Sequence, residues 1–444
     1  MTKFFKNYLF HIFVFLFIVL TIIISLYASG YKFNLNWPLN FNKLLQKTGM
    51  LAVSTIPKNS LIYLDDKIEI NSFLSWGQKN YIKTPAKLKN ILPGEYKIRF
   101  EQPGYWPFEQ KVSIYSGQTT FLEDINLFRS DLPLLASDDK STAISLGPNQ
   151  KYLYIKDTEK IINLSNNQTT DFNISSSTTD FAWLDNGDRL FKDGVIFSKN
   201  GVENIKQKIG QDTKNWFYDQ SNGHIYYQND NTINYLTNNN TASTIAKGGD
   251  KGETYLSFVA SGDHIFYISL NNKKLRLQDY SLKSQKVEQA IDLPSVATYQ
   301  LSLEQDGIIN LYDLQNKTLY LINRAKFNEV NTLKNIISWQ WVNSDELFYN
   351  NDWEIHRYYL SSNSDDLITR LGENITKVIY NQKNNYLIFS SDKKLNALDL
   401  KSGAITNLLS ADRISDPWLD ERNDLIYFSA KINGQEGIYK MITQ

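Results

Sequence analysis

Residues 376–409 read TKVIYNQKNNYLIFSSDKKLNALDLKSGAITNLL. Four short runs, TKVIY, NYLIFSS, LNALDL and ITNLL, are separated by Asn-Gln-Lys-Asn-Asn, Asp-Lys-Lys and Lys-Ser-Gly. Runs of this length, rich in apolar residues and bounded by turn formers, are strands and not helices. The stretch is therefore a unit of four consecutive strands.

The opening of this unit recurs along the chain. A strand, a short polar turn and an aliphatic residue flanked by aromatics appear as LGPNQKYLYI, WLDNGDRLF, FYDQSNGHIYY, FVASGDHIFYI, LSLEQDGIINLY, WVNSDELFY, IYNQKNNYLIF and WLDERNDLIYF. The aliphatic landmarks are Leu153, Leu190, Ile225, Ile265, Ile309, Leu347, Leu387 and Ile426, separated by 37, 35, 40, 44, 38, 40 and 39 residues. A period near 40 with four strands per unit predicts a β-propeller. Eight blades are expected, with seven as the alternative if the first or the short second unit is not a blade. The phrase resembles blades of TolB-type and WD-repeat propellers.

A propeller joins its first and last blades. The final unit supplies three strands, ISDPWLD, LIYFSA and GIYKMI. Ahead of the first unit lies Asp131-Leu132-Pro133-Leu134-Leu135-Ala136, short and apolar. This segment is expected to supply the outermost strand of the last blade, where one side needs no ladder bond and Pro133 is tolerated.

Before the repeat, the pattern is different. From Met50, LAVSTIP, SLIYLDDK, AKLKNI, EYKIRFE, KVSIYS and TTFLEDINLF read as about six strands in roughly 80 residues, a small antiparallel sandwich. In EYKIRFE, Tyr96, Ile98 and Phe100 face one side; in the last run, Phe121, Ile125 and Leu127 do. Pro93-Gly94 and Pro103-Gly104 mark turns, and a type II turn at the first puts Gly94 at positive φ.

Ile56-Pro57, Tyr63-Leu64-Asp65, Thr84-Pro85, Leu92-Pro93-Gly94-Glu95-Tyr96 and Gly104-Tyr105 fall at spacings that resemble the PEGA domain. Two departures stand out. Pro57-Lys58-Asn59-Ser60 replaces the tetrapeptide that names the family, and the stretch between Asp66 and Thr84 is long and carries Phe73, Trp76 and Tyr81. The resemblance implies a surface protein of bacteria or archaea and a binding or spacer role without catalysis. Phe73 and Trp76 in the long loop, and Tyr105 and Trp106 after the second Pro-Gly, are the candidate contacts for a protein partner or glycan. For Tyr105 and Trp106, packing in the sandwich is the competing reading.

Tyr8–Ala28 holds no Asp, Glu, Lys or Arg over 21 residues, a helix of about 31 Å that matches a bilayer's hydrocarbon core. Lys3 and Lys6 precede it, which places residues 1–7 in the cytoplasm and the rest outside. A cleaved signal peptide ending at Leu26-Tyr27-Ala28 is the alternative to a signal-anchor. The expected division is a cytoplasmic stub at 1–7, a transmembrane signal-anchor at 8–28, a linker at 29–48, a PEGA-like sandwich at 49–128 and a propeller at 129–444.

Lys+Arg and Asp+Glu both number 47, so no basic field draws nucleic acid. Cysteine is absent, which excludes disulfides, thiolate metal sites and thiol nucleophiles. The sequence holds no Gly-x-Ser-x-Gly elbow, phosphate loop, His-Glu-x-x-His or calcium loop. Asp185, Asp219, Asp345 and Asp420 recur in the turn before the landmark and read as turn formers. His224 and His264 occupy equivalent places a unit apart and read as structural. No catalytic residue, cofactor or metal is expected. The chain reads as a single-pass envelope protein that binds or scaffolds protein or glycan partners; a propeller hydrolase acting on glycans or peptides is the alternative.

Overall fold

The computed structural model describes residues 3–33, 44–71, 80–171, 181–198, 200–209, 213–229, 231–236, 242–247, 253–294, 298–304 and 307–444. The chain divides into two compact units, Met1–Asp131 with Leu398–Leu408 and Gln444, and Leu132–Ala397 with Leu409–Thr443.

The first unit opens with a helix, Lys3–Ala28. Within it, Tyr8–Ala28 is long and apolar enough to cross a membrane, and none of it is buried in the protein. Gly30 ends the helix at φ 82°, its N–H donating to Tyr27 O at 3.0 Å, the left-handed closure that glycine makes without steric cost. The stretch expected as a plain linker is paired: Tyr31–Phe33 runs antiparallel to Leu45–Lys47.

Among the described residues, the sandwich has seven strands in two sheets. Ala86–Ile91, Gly49–Ile56 and Thr119–Asn126 form one; Lys67–Ile68, Leu61–Leu64, Gly94–Glu101 and Phe108–Ile114 form the other. The expectation of an all-antiparallel domain is corrected, because Gly49–Ile56 pairs with Thr119–Asn126 in parallel. Leu51, Val53, Ile62, Ile98, Phe100 and Ile125 lie in one core between the sheets. Phe121 does not join them; it is 65% exposed. The register slips by one residue between Val53↔Leu122 and Thr55↔Ile125, with Asp124 at φ 54°. Because the side-chain period is two, one extra residue sends Phe121 to the face opposite Ile125.

The residues around Pro57 and Pro85 form a hydroxyl network. Thr55 Oγ1 lies 2.6 Å from Thr84 Oγ1 and 2.9 Å from Ser60 Oγ. Ser60 N donates to Thr84 Oγ1 at 3.1 Å, and Ser60 Oγ donates to Gln102 Oε1 at 3.0 Å. Gly94 corrects another expectation. Its φ is not positive, and it opens a strand. The left-handed residue here is Asn90 at φ 60°, a bulge before the turn. Only the second Pro-Gly behaves as read, with Gly104 at φ 82°.

The second unit is a β-propeller. Among the described residues, eight four-stranded antiparallel sheets follow one another from Leu134 to Ile442. All eight landmarks lie on second strands and are at most 8% exposed. That position is sandwiched between neighbouring sheets, which is why an aliphatic residue recurs there. The expected runs in 376–409 appear as Lys377–Asn381, Tyr386–Ser390, Lys394–Asp399 and Ile405–Ser410.

The closing strand is where the strand count placed it. Leu134–Ser137 pairs antiparallel with Gln435–Ile442, as Leu134↔Lys440 and Leu135↔Tyr439, with a bulge before Ser137↔Ile438. Gly437 permits the approach: a Cβ there would lie 2.6 Å from both Leu135 Cδ1 and Ser137 O. The core continues across the seam, with Ile144, Leu153 and Ile155 of the first sheet packing on Tyr427 and Ile438 of the last.

Candidate functional site

The hairpin after Phe100 places Tyr105 and Trp106. Tyr105 N donates to Gln102 O at 3.1 Å, Trp106 N to Phe128 O at 2.8 Å, and Ser130 N to Gly104 O at 3.0 Å. Tyr105 packs against the sandwich core, and the Arg129 guanidinium lies 5.1 Å from its ring centroid. Arg129 is in turn held by Asp131 at 2.8 Å. Tyr105 is thus used within the domain. Trp106 is fixed by its backbone and keeps 39% of its surface exposed.

Phe73 and Trp76 lie outside the described residues. The base of their loop is a short ladder. Ile70 bridges Tyr81, Asn71 N donates to Asn80 O at 2.8 Å, and Ile82 N donates to Glu69 O at 2.9 Å. Ile70 and Tyr81 are 42% and 40% exposed, so an apolar surface begins where the loop leaves the domain.

In the propeller, the recurring carboxylates are all occupied, Asp219 and Asp420 by their own turns and Asp345 and Asp185 by other groups. Asp219 Oδ1 accepts from Ser221 N at 2.8 Å, and Asp420 Oδ1 from Arg422 N at 3.0 Å. Asp345 accepts from Ser361 N at 2.6 Å, and Asp185 pairs with Arg189. A carboxylate saturated by backbone N–H groups is a turn former. The two equivalent histidines part ways. His224 stacks on Tyr235 at 5.1 Å, whereas His264 Nδ1 lies 2.6 Å from Asp279 Oδ1.

Among the described residues, one His/Asp/Glu group comes close enough to share an ion: His264, Asp279 and Glu288, with ligand atoms within 4.8 Å of one another. Glu288 reaches it because a bulge falls between Asp279↔Gln289 and Tyr280↔Val287. Asp279 is almost fully buried and meets His264 Nδ1 directly.

A polar cluster on the first strands was not visible in the sequence. Asp416 accepts from Lys377 Nζ at 2.7 Å, Trp418 Nε1 at 3.1 Å and Ile144 N at 2.8 Å. Lys377 Nζ sits 4.0 Å from the Trp418 ring centroid. Burial pushes the Lys377 ammonium below its ordinary value, and Asp416 pulls it back up. Asp416 gains this reach from a bulge, at φ 46° between Ser415 and Trp418. The cluster ties three sheets together, and a second ammonium, Lys156 Nζ, lies 3.9 Å from the same carboxylate. Elsewhere, a pocket of ≈ 460 Å³ opens on Ile291, Leu293, Pro294, Tyr320, Ile322 and Val330, lined largely by aliphatic side chains.

Residues 48–126 match the PEGA domain family, and the chain carries a PEGA domain there. No curated protein matches the chain. Among solved structures it is similar to the Dos1 propeller, at 12% identity over 71% of this chain and 96% of that one, with a TM-score of 0.46. It is also similar to a catalytically inactive virginiamycin B lyase from Staphylococcus aureus with quinupristin, at 13% identity over 70% of this chain and 97% of that one, with a TM-score of 0.39.

Proposed function

We propose that this chain is a membrane-anchored binding or scaffold protein of the cell envelope, with its PEGA domain and propeller outside the cytoplasmic membrane. The observation that carries the reading is the order of parts: one exposed apolar helix, Tyr8–Ala28, then a PEGA domain, then a propeller. The partner is a protein or a cell-surface glycan, met by Trp106 and by the apolar base of the Ile70–Tyr81 loop. Support for a non-catalytic role comes from the recurring propeller carboxylates, each of which already has a partner within the fold. On this reading residues 1–7 are cytoplasmic, 8–28 span, and the segment 29–48 joins the helix to the PEGA domain.

Protease added to intact spheroplasts is expected to digest both large units; full protection overturns the topology. A photo-crosslinking residue at Trp106 is expected to trap a partner in cells that the same residue at Lys111 does not. Identical products at both positions overturn the role given to Trp106.

A further inference from the structure

The helix does not lead into a free tether. Gly30 O accepts from Thr48 N at 2.7 Å and from Thr48 Oγ1 at 2.8 Å. Thr48 O accepts from Gly117 N at 3.0 Å, and Lys47 O from Ser116 Oγ at 3.1 Å. Asn90 Nδ2 donates to Tyr27 OH at 3.1 Å. The strand Leu45–Lys47 with Thr48, the bulge at Asn90 and, through Lys47 and Thr48, the loop at 115–118 therefore gather at the helix end.

This fixes where that end of the domain stands. Tyr27 is the penultimate residue of the apolar run, so Asn90 sits one tyrosine and one asparagine side chain from the edge of the hydrocarbon. The headgroup layer is about 5–8 Å deep on each side of a bilayer. The side chains gathered here suit that layer: Tyr27, Phe33, Leu45 and Tyr115 are 58%, 46%, 40% and 59% exposed, and Lys32, Lys47 and Lys89 are exposed beside them. Aromatic rings with lysines whose stems lie along apolar surface are the composition of a membrane interface. Burial pushes the nearby Glu69 carboxyl above its ordinary value, and Lys32 opposes that rise.

We propose that this rim of the PEGA domain is embedded in the lipid headgroup layer, so that the domain docks on the bilayer surface instead of standing off from it. The proposal rests on the membrane-anchored reading above. It also gives the helix end a folded role, since removal of residues up to Ala28 would take Tyr27 from Asn90.

The chain lacks cysteine, so single labels can be introduced cleanly. The full chain is synthesised cell-free into nanodiscs of phosphatidylcholine and phosphatidylglycerol that contain some headgroup-nitroxide lipid. Bimane is attached at Lys89→Cys, Tyr115→Cys or Lys58→Cys, all at exposed positions. Lys58 lies past the far end of Gly49–Ile56, about 23 Å along that strand. Several-fold stronger quenching at 89 and 115 than at 58 is expected, and Asn90→Ala is expected to weaken it at 115. Disc-bound chain equally bright at all three sites overturns the docking alone. Chain that elutes apart from the discs overturns the anchor and the docking together.

Discussion

The sandwich and the propeller are held in different ways. The sandwich depends on features that occur once: the Thr55–Ser60–Thr84–Gln102 network and a single parallel pair of strands. The propeller repeats one solution, an aliphatic second-strand residue, from sheet to sheet. Its exceptions are at the seam, where Gly437 admits the closing strand and Asp416 gathers donors from two other sheets. Repetition spreads stability over many equivalent contacts, so the costly positions in either unit are the unrepeated ones.

The sharpest way to break this contrast is at Gly437. Gly437→Val meets backbone at Ser137 O and is expected to cost about 3 kcal/mol. The loss should appear in thermal unfolding of the full chain and as fast hydrogen exchange in 134–137 and 435–442. Gly372→Val, where a Cβ meets nothing within 4 Å, is the matched change and should cost under about 0.5 kcal/mol. Equal effects would mean that the seam is no weaker than any surface turn.

Asp416→Ala follows. It strips Lys377, Trp418 Nε1 and Ile144 N of their acceptor and is expected to cost about 2 kcal/mol. In the sandwich, Thr84→Val leaves Thr55 Oγ1 and Ser60 N short of a partner, at about 1–2 kcal/mol. Exchange should rise around 55–60 and stay unchanged in the propeller.

Glu354 offers a pH test. Asn351, Arg370 and His356 hold its carboxyl at about 2, below the ordinary 4.5. A depressed carboxylate stabilises the fold above its unfolded pKa, and that contribution is lost as pH falls toward 2. Glu354→Gln should therefore cost about 1 kcal/mol at neutral pH, with the gap narrowing below pH 4.5 in acid titrations of both proteins. The smallest expected effect separates the two Pro-Gly turns. Valine at Gly104, φ 82°, costs about 1 kcal/mol, whereas at Gly94, with only Tyr96 within 4 Å, it costs about nothing.

What the sequence disclosed follows the same division. The propeller was legible because its period places eight aliphatic residues in equivalent, buried sites. The closing strand was legible because the last unit lacked one. Features that depend on a single inserted residue were not. The bulge at Asp124 reversed Phe121, and the bulge at Asn90 carries a positive φ that no glycine marks. The bulge at Asp416 built a cluster from residues far apart in the chain. A bulge shifts parity without any residue type that marks it, so alternation read from sequence passes over it. Of the four aromatic contacts singled out, Tyr105 is used in packing, Trp106 stays open, and Phe73 and Trp76 lie beyond the described residues.

The closing strand also sets a clock on biosynthesis. Leu134 pairs with Lys440, so the two halves of that ladder leave the ribosome about 300 residues apart, some 15–60 s at ordinary elongation rates. Throughout that interval the nascent chain carries Leu134 and Leu135 on a strand whose partner does not yet exist. Sheets can form one after another as they emerge, but the ring can lock only when the last of them arrives. A stalled or truncated message would release an open arc with an apolar, unpaired edge.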